Sequence, residues 1–446
     1  MDKDDVKYLL FLVLHIAIGI LLFLLPDAAG IYAIVILVGG LLYVFNKQNS
    51  NNEVLLVAAY VVGSEAFLRM TGGNLVYEFS KYAVIIFMTV GIYLRGVAYS
   101  ATPYWIFLCL LIPGVIVATQ TLNYDTEIRK TISFNISGPV CLGIAAIYCY
   151  RRKITLEHIT DILLAAGLPI VSMTVYLILY TPDIKEVIMG TSSNFETSGG
   201  FGPNQVATVL GLGMFVFFSR LVFASRSTVT FIVNLSLAFV IGYRGLITFS
   251  RGGMITGLAM LVALLVITYF RINSKGKVKM NFLWIAFGVA LVAVWSYSSI
   301  QTQGLIDKRY SNQDAAGRVK ESRFTGREEI AATELDYFLE SPLLGVGVAK
   351  GAELREATGD RVLSHNEITR MMAEHGTLGI IALMILFITP LVLYFGNTHN
   401  LYVVCFLIFW ILTINHAAMR LAAPAFIYAL SLLKVVPDEE IIVHRE

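Results

Sequence analysis

The chain has 446 residues, of which 57% are hydrophobic and 14% are charged, and its mean hydropathy is +0.73. This composition excludes a soluble globular protein, whose surface needs more charged side chains. The formal net charge is +2, and no Lys/Arg tract is dense enough to indicate a nucleic-acid partner.

Apolar runs of about 18 to 20 residues recur along nearly the whole chain, and runs of this length predict transmembrane helices. A transmembrane β-barrel would instead alternate polar and apolar residues in shorter segments. We therefore expect an all-α fold, a polytopic membrane helix bundle of about 12 to 14 helices. The spans are expected at 6–25, 30–45, 53–70, 76–94, 101–119, 132–150, 159–181, 203–222, 228–247, 252–270, 281–300, 376–395, 401–418 and 420–436.

The long polar segment 301–375 interrupts this series, and we expect it to be a loop inserted in a single membrane domain, 1–446. The basic clusters at 151–153 and 271–279 fall on one side of the membrane when the N-terminus is placed in the cytoplasm. Lys and Arg concentrate in short cytoplasmic loops. The loop 301–375 is therefore expected on the outer side, in the periplasm or its equivalent.

Within this loop, residues 325–340 are expected to form a helix that Ser341-Pro342 ends. Arg327 lies in its first turn, where the positive end of the helix dipole disfavours a cation. Its presence there indicates a purpose other than helix stability, with a solvated surface arginine as the alternative. The face expected to be buried consists of Ile330, Leu335, Phe338 and Leu339.

Ser364-His365-Asn366-Glu367 has the spacing of a capping box. Ser364 is then the N-cap and His365 the first helical residue, where the helix dipole lowers the pKa of the imidazole. A neutral imidazole near pH 7 is what a general base requires. An ordinary surface histidine is the alternative. The glycine-punctuated segment 342–348 is expected to be a tight turn against the membrane domain.

Two arginines lie seven residues apart in the apolar segment 243–253. If one helix continues through it, Arg244 and Arg251 face the same side, near the outer membrane surface. Charges at this depth normally face a cavity or an anion, and a guanidinium suits a phosphate. Snorkelling to the interface is the alternative. Asn204 lies at the start of a span, where it either serves the turn or contacts a ligand. No His/Asp/Glu cluster in the sequence indicates a metal site.

Several short motifs follow one another in order and resemble those of the O-antigen ligase and O-antigen polymerase superfamily of bacterial envelope enzymes. They are Gly202-Pro203-Asn204, Ser250-Arg251-Gly252-Gly253, Gly326-Arg327, Pro342-Leu343-Leu344-Gly345-Val346-Gly347, His365-Asn366 and Glu374-His375-Gly376-Thr377-Leu378-Gly379. The resemblance implies a metal-independent glycosyltransferase without a cofactor, in the bacterial inner (cytoplasmic) membrane, with a large external loop.

By this resemblance, the enzyme moves a glycan from an undecaprenyl-diphosphate carrier to a hydroxyl of lipid A-core, another glycan or a protein. Arg251 and Arg327 are then expected to bind the diphosphate, and His365 to activate the acceptor. Asn204 and Asn366 are added as substrate-binding residues through their motifs, and Arg244 through its spacing alone.

Two other functions are open. One is a polymerase that extends the repeat unit on its carrier, because the aromatic residue that often follows the Gly-Arg motif is missing after Gly326-Arg327. The other is a transporter or flippase of lipid-linked glycans. Transporters place polar residues in midplane spans and often contain inverted repeats. Here the arginines and the histidine gather at one face and in one loop, which favours an enzyme.

Overall fold

The computed structural model describes residues 2–320, 322, 326–356, 364–397 and 399–437. Within these ranges almost all regular structure is helical, which confirms the all-α prediction. The helices are α1 (Lys3–Leu24), α2 (Ala28–Lys47), α3 (Glu53–Met70), α4 (Phe79–Arg95), α5 (Thr102–Thr121), α6 (Ile128–Cys149), α7 (Leu156–Tyr180), α8 (Ile184–Val187), α9 (Pro203–Phe223), α10 (Thr228–Ile247), α11 (Arg251–Arg271), α12 (Ser274–Gln301), α13 (Leu305–Tyr310), α14 (Arg327–Glu340), α15 (Lys350–Glu356), α16 (Glu367–Tyr394), α17 (Val403–His416) and α18 (Ala422–Leu430). Two short strands, β1 (Lys153–Ile154) and β2 (Lys434–Val435), pair in parallel.

Ten of the described helices are long and apolar enough to cross a membrane. The chain is therefore a multi-pass membrane protein. The ten are α1, α2, α5, α6, α7, α9, α10, α11, α12 and α16. The four other expected spans also form helices: α3 carries several charged residues, and α4, α17 and α18 are shorter.

The chain divides into two compact units. The first consists of Met1–Phe79, Thr155–Glu321 and Val404–Phe409. The second consists of Ser80–Ile154, Ser322–Val403 and Trp410–Glu446. The first unit thus contains Asn204, Arg244 and Arg251, whereas the second contains Arg327, His365 and Asn366.

In the first unit, glycines allow α9 and α11 to approach backbone to backbone. A Cβ atom added to Gly253 would lie 2.3 Å from the carbonyl carbon of Ala207, and one added to Gly257 would lie 2.6 Å from the carbonyl oxygen of Gly211. No larger side chain fits at such distances. This contact fixes where α11 begins relative to α9.

In the second unit, α16 is interrupted at Gly376, whose φ of 60° and ψ of −141° are not helical. The segment 342–348 packs there, as the sequence predicts. The N–H of Val346 donates to the carbonyl of Ala373 at 2.9 Å, and that of Thr377 donates to the carbonyl of Pro342 at 2.7 Å. A turn of the segment 301–375 is therefore hydrogen-bonded to the break in α16.

Candidate functional site

The sequence segment that holds Arg244 and Arg251 is not one continuous helix. It breaks between α10 and α11, where the buried Phe249 has a left-handed φ of 57°. The condition for both arginines to share one helical face, a helix that continues through the segment, is therefore not met. Arg244 is 2% exposed and donates to the carbonyl oxygens of Leu177 at 2.8 Å and Thr181 at 3.4 Å. It caps the C-terminal end of α7.

Arg251 is the first residue of α11, and Ser250 is its N-cap. The hydroxyl of Ser250 donates to Oδ1 of Asn204 at 2.7 Å instead of capping α11. Asn204 lies one residue after Pro203, the first residue of α9. The two helix N-termini are therefore joined side by side, and both direct their positive ends toward the region of Arg251.

Two further cations lie near Arg251, namely Arg309 and Lys320. Arg309 Nε donates to the carbonyl oxygen of Phe249 at 2.9 Å, which holds Arg309 at the break between α10 and α11. The pKa of Lys320 is lowered by burial and by the charges of Arg309 and Arg251. Three cations next to two helix N-termini form a site suited to an anion with more than one negative charge.

An apolar cavity of about 490 Å³ lies among α9, α10, α11 and α12 of the same unit. Tyr310 lines this cavity, and its ring contacts Trp295 at a centroid distance of 4.9 Å. Burial raises the pKa of Tyr310 to about 12, and the neighbouring Arg251 and Arg309 oppose that rise. Tyr310 therefore lies where the apolar cavity meets the basic cluster.

In the second unit, Arg327 is the first residue of α14, as the sequence predicts. Thr325, where the prediction began the helix, lies outside the described residues. The expected buried face of this helix is wrong, because Leu335 is 43% exposed and Leu339 is 67% exposed. The residue buried on α14 is Glu334, at 2% exposure. An exposed apolar stripe is typical of a helix at a membrane surface.

The buried carboxylate of Glu334 holds the segment that carries His365. It accepts hydrogen bonds from Ser364 Oγ at 3.1 Å, Thr369 Oγ1 at 2.6 Å and Arg355 Nη1 at 3.3 Å. Burial raises the pKa of Glu334, and these hydrogen bonds and the positive charge of Arg355 oppose the rise. A buried carboxylate with several donors is rigidly placed, so α14 and the start of α16 are tied together.

The predicted cap of α16 is wrong by two residues. The N-cap is Asn366, whose Oδ1 accepts from the N–H of Ile368 at 2.9 Å. Ser364 does not cap the helix because its hydroxyl binds Glu334. His365 therefore precedes the helix instead of beginning it, and Asn366 has a structural role at the helix start.

The backbone on either side of His365 is held by residues that follow α17. Arg420 Nη2 donates to the carbonyl oxygen of Ser364 at 2.6 Å, and the N–H of Ala418 donates to the carbonyl oxygen of His365 at 3.0 Å. Together with Glu334, these contacts fix the main chain at residues 364–365 from two directions. The imidazole of His365 is therefore attached to a main chain whose position is fixed by these hydrogen bonds.

His365 is half-buried among positive charges. Burial, followed by the charges of Arg420, Arg327 and His416, lowers its pKa to about 3. The predicted direction of the pKa shift is found, although the cause is burial and these neighbours. Nδ1 of His365 is buried and has no hydrogen-bond partner among the described residues. A neutral imidazole here is able to accept a proton, and Arg327 lies close enough to influence it.

The residues singled out in the sequence thus form two sets, one in each unit. In the first unit, Asn204 and Arg251 are joined through Ser250, while Arg244 caps a helix. In the second, Arg327 and His365 are neighbours and Asn366 caps α16. Sequence patterns missed Arg309, Glu334 and Arg420. Arg309 and Glu334 lie in the polar loop, where many charged residues offer no pattern that distinguishes them.

Among the described residues, no group of three His, Cys, Asp or Glu side chains is placed to hold a metal ion. Residues 235–384 match the family described as O-antigen ligase, and no curated protein sequence matches the chain. The matched segment contains Arg251, Arg327 and His365. Over this segment, about a third of its length, the chain is similar to the O-antigen ligase family.

Proposed function

We propose that this protein transfers a glycan from an undecaprenyl-diphosphate carrier to an acceptor hydroxyl, as an O-antigen ligase does. The proposed location is the outer face of a bacterial cytoplasmic membrane, with the loop 301–375 in the periplasm. The positive-inside distribution of basic residues supports this orientation. Lipid A-core, another glycan and a protein are the proposed classes of acceptor.

The observation that carries the proposal is the basic cluster beside the apolar cavity in the first unit. A lipid-linked diphosphate has a hydrocarbon chain and a compact double anion. The cavity of about 490 Å³ suits part of the chain, and Arg251, Arg309 and Lys320 suit the anion. Because Tyr310 borders both, the two halves of such a molecule have adjoining sites. Arg244 is left out, since its guanidinium already binds backbone carbonyls.

His365 and Arg327 supply the chemistry of the second unit. In the proposed step, the acceptor oxygen attacks the anomeric carbon of the donor sugar, and His365 takes the hydroxyl proton. The bond between that carbon and the diphosphate oxygen breaks, and the electron pair stays on the leaving diphosphate. Arg251 and Arg327 stabilise this charge. The sugar–phosphate bond is already activated, so the reaction needs no nucleotide.

The low pKa of His365 has a consequence for this mechanism. A base with a pKa of about 3 accepts a proton weakly at neutral pH. His365 is therefore proposed to take the proton only as the acceptor oxygen gains positive charge in bonding to the anomeric carbon, when that proton is far more acidic than in the free hydroxyl.

The test uses purified protein in proteoliposomes with an undecaprenyl-diphosphate-linked glycan and each class of acceptor, without nucleotide or metal. Transfer to an acceptor other than the donor glycan supports a ligase. Growth of the glycan on its own carrier indicates the polymerase instead. Arg251→Ala and Arg327→Ala are each expected to lower transfer by about 10²–10³.

The matched control is Arg318→Ala. Arg318 lies in the same loop but its side chain is 83% exposed, and it pairs with Asp314 at 2.7 Å. Such pairs contribute little, so transfer should be unchanged. Near-normal transfer by both Arg251→Ala and Arg327→Ala would remove the diphosphate assignment. Failure of every acceptor and of self-extension, with His365→Ala neutral in cells, would overturn the enzyme proposal.

A further inference from the structure

A large cavity of the first unit lies away from the basic cluster, among α1, α2, α3, α7 and α9. Its volume is about 1120 Å³, slightly above the ~300–1,000 Å³ typical of small-molecule sites. Nothing in the glycosyl-transfer mechanism uses it. It is half open, and its lining changes from charged at one end to apolar along its length.

The groove lies between α1 and α2, which pack against different helices. α1 packs mainly against α7, and α2 packs mainly against α3. The two helices are joined by a short turn at 25–27, so they diverge away from that turn. The apolar wall between them includes Phe11 and Ile18 of α1 and Val35 and Ile36 of α2.

The dimensions of the groove match one leaflet of a bilayer. Along α1 it extends from Asp4 to Ile18, a rise of about 21 Å at ~1.5 Å per residue. Half of the hydrocarbon core is about 15 Å thick, so the groove covers one leaflet and its headgroup region. At its inner end, Tyr32 and Tyr60 are hydrogen-bonded through their hydroxyls at 2.7 Å. This pair lies at the end of the groove opposite the charged residues.

The other end of the groove, near the start of α1, carries charges of both signs. Arg226 is engaged by Asp4 at 3.5 Å and Glu157 at 3.8 Å. Other charged residues also line this end of the groove: Asp5, Lys7, Asp161 and Arg220. The mouth thus offers acids and bases side by side, which suits a headgroup that has both charges.

Arg220 is buried, at 8% exposure, and so is Asp5, at 6%. Its guanidinium lies over the ring of Tyr8, 4.6 Å from the centroid. Its Nε is buried and has no hydrogen-bond partner among the described residues. A buried donor without an acceptor is costly, and a phosphate oxygen in the groove would satisfy it.

We infer that this groove binds one phospholipid with an amine-bearing zwitterionic headgroup, taken from the leaflet in which the chain begins. Its phosphate contacts Arg220 and Lys7, its ammonium contacts Asp5 and Asp161, and one acyl chain lies between α1 and α2. A purely anionic headgroup would place no cation opposite the two acids. Under the proposed orientation, this is the cytoplasmic leaflet, on the opposite side from the transfer chemistry.

The test is native mass spectrometry of the delipidated full-length protein with equimolar phosphatidylethanolamine, phosphatidylglycerol and phosphatidylcholine. One phosphatidylethanolamine should be retained under conditions that remove the other two. Gly39→Phe fills the groove, because Gly39 lines it and a Cβ there meets no atom within 4 Å. Retention should fall about tenfold or more, a change of ~1.4 kcal/mol in binding.

Gly30→Phe is the matched control, since Gly30 is on the same helix, also has open space around its Cβ, and does not line the groove. It should retain the lipid. Asp161→Asn should reduce the preference for phosphatidylethanolamine over phosphatidylglycerol. Equal retention of the anionic lipid by the unaltered protein, or full retention by Gly39→Phe, would overturn the inference. Retention of the anionic lipid is measured on the unaltered protein, so this outcome does not depend on whether a variant folds.

Discussion

Gly253→Ala tests whether the contact between α9 and α11 places Arg251. The new Cβ would lie 2.3 Å from the carbonyl carbon of Ala207, whereas non-bonded carbon atoms rest about 3.5 Å or more apart. The helices must therefore separate locally by about 1.2 Å. A misplacement of about 1 Å in a catalytic group lowers the rate by about 10²-fold, equivalent to ~2.7 kcal/mol of transition-state stabilisation.

The assay is the initial rate of glycan transfer in proteoliposomes, normalised to the amount of folded protein. Overpacking also destabilises, typically by about 1–3 kcal/mol, so thermal unfolding is measured on the same preparations. Gly288→Ala is the control, because a Cβ at Gly288 on α12 meets no atom within 4 Å. It should leave both transfer and unfolding temperature nearly unchanged.

A double-substitution cycle separates placement of Arg251 from a general effect. Arg251→Lys loses the planar, bidentate grip of the guanidinium. In that background, Gly253→Ala should cost little further activity, since the group that it displaces is already impaired. An equal loss of about 10²-fold in both backgrounds would refute the reasoning, and so would normal transfer by Gly253→Ala alone.

Two further predictions concern the second unit. Arg420→Gln removes a positive charge that helps to lower the pKa of His365, so this pKa should rise. His365 is then protonated at a higher pH, and activity is lost earlier as the solution is acidified. The acid limb of the pH profile of kcat/KM measures the shift, and an unchanged acid limb contradicts the prediction. Gly376→Ala should lower the unfolding temperature, because its φ of 60° and ψ of −141° suit only glycine and a Cβ would lie 2.6 Å from the carbonyl carbon of Leu343. The expected cost is about 3 kcal/mol or more, with Gly30→Ala as the unstrained control; equal unfolding temperatures would contradict the prediction.

The positions of the spans could be predicted from the sequence because hydropathy acts locally. Every expected span coincides with a helix in the structure, including the last two, which form α17 and α18. The end of α14 was also predictable, because Pro342 disfavours a helical conformation at Ser341. Arg327 was expected in the first turn of this helix, and it is the first helical residue. These features depend on residues within a few turns of one another.

Contacts made by the tertiary structure were not predictable in this way. Ser364 fits a capping box, but its hydroxyl binds Glu334, thirty residues earlier, and Asn366 takes over the cap. The same carboxylate is the buried group of α14, because its three donors offset the cost of burying it, while Leu335 remains exposed. No local pattern distinguishes Glu334 from the other acids of the loop.

The break between α10 and α11 was equally hidden. A seven-residue spacing places two side chains on one face only while the helix continues. Phe249 adopts a left-handed conformation that aromatic residues seldom take, and it is held there by burial in an apolar cluster with Ile184, Ile247 and Ile306. The cluster overrides the local preference, so Arg244 and Arg251 acquire different surroundings.

The interruption of α16 at Gly376 also bears on how this protein is inserted into a membrane during synthesis. Before Gly376, Arg370 forms ion pairs with Glu367 and Glu374, so the charges of this stretch partly neutralise one another once the helix has formed. After it, residues 377–394 are 18 mostly apolar residues, a rise of ~27 Å. An insertion apparatus that senses hydrophobicity therefore meets a span of ordinary length, although the folded helix is 28 residues long.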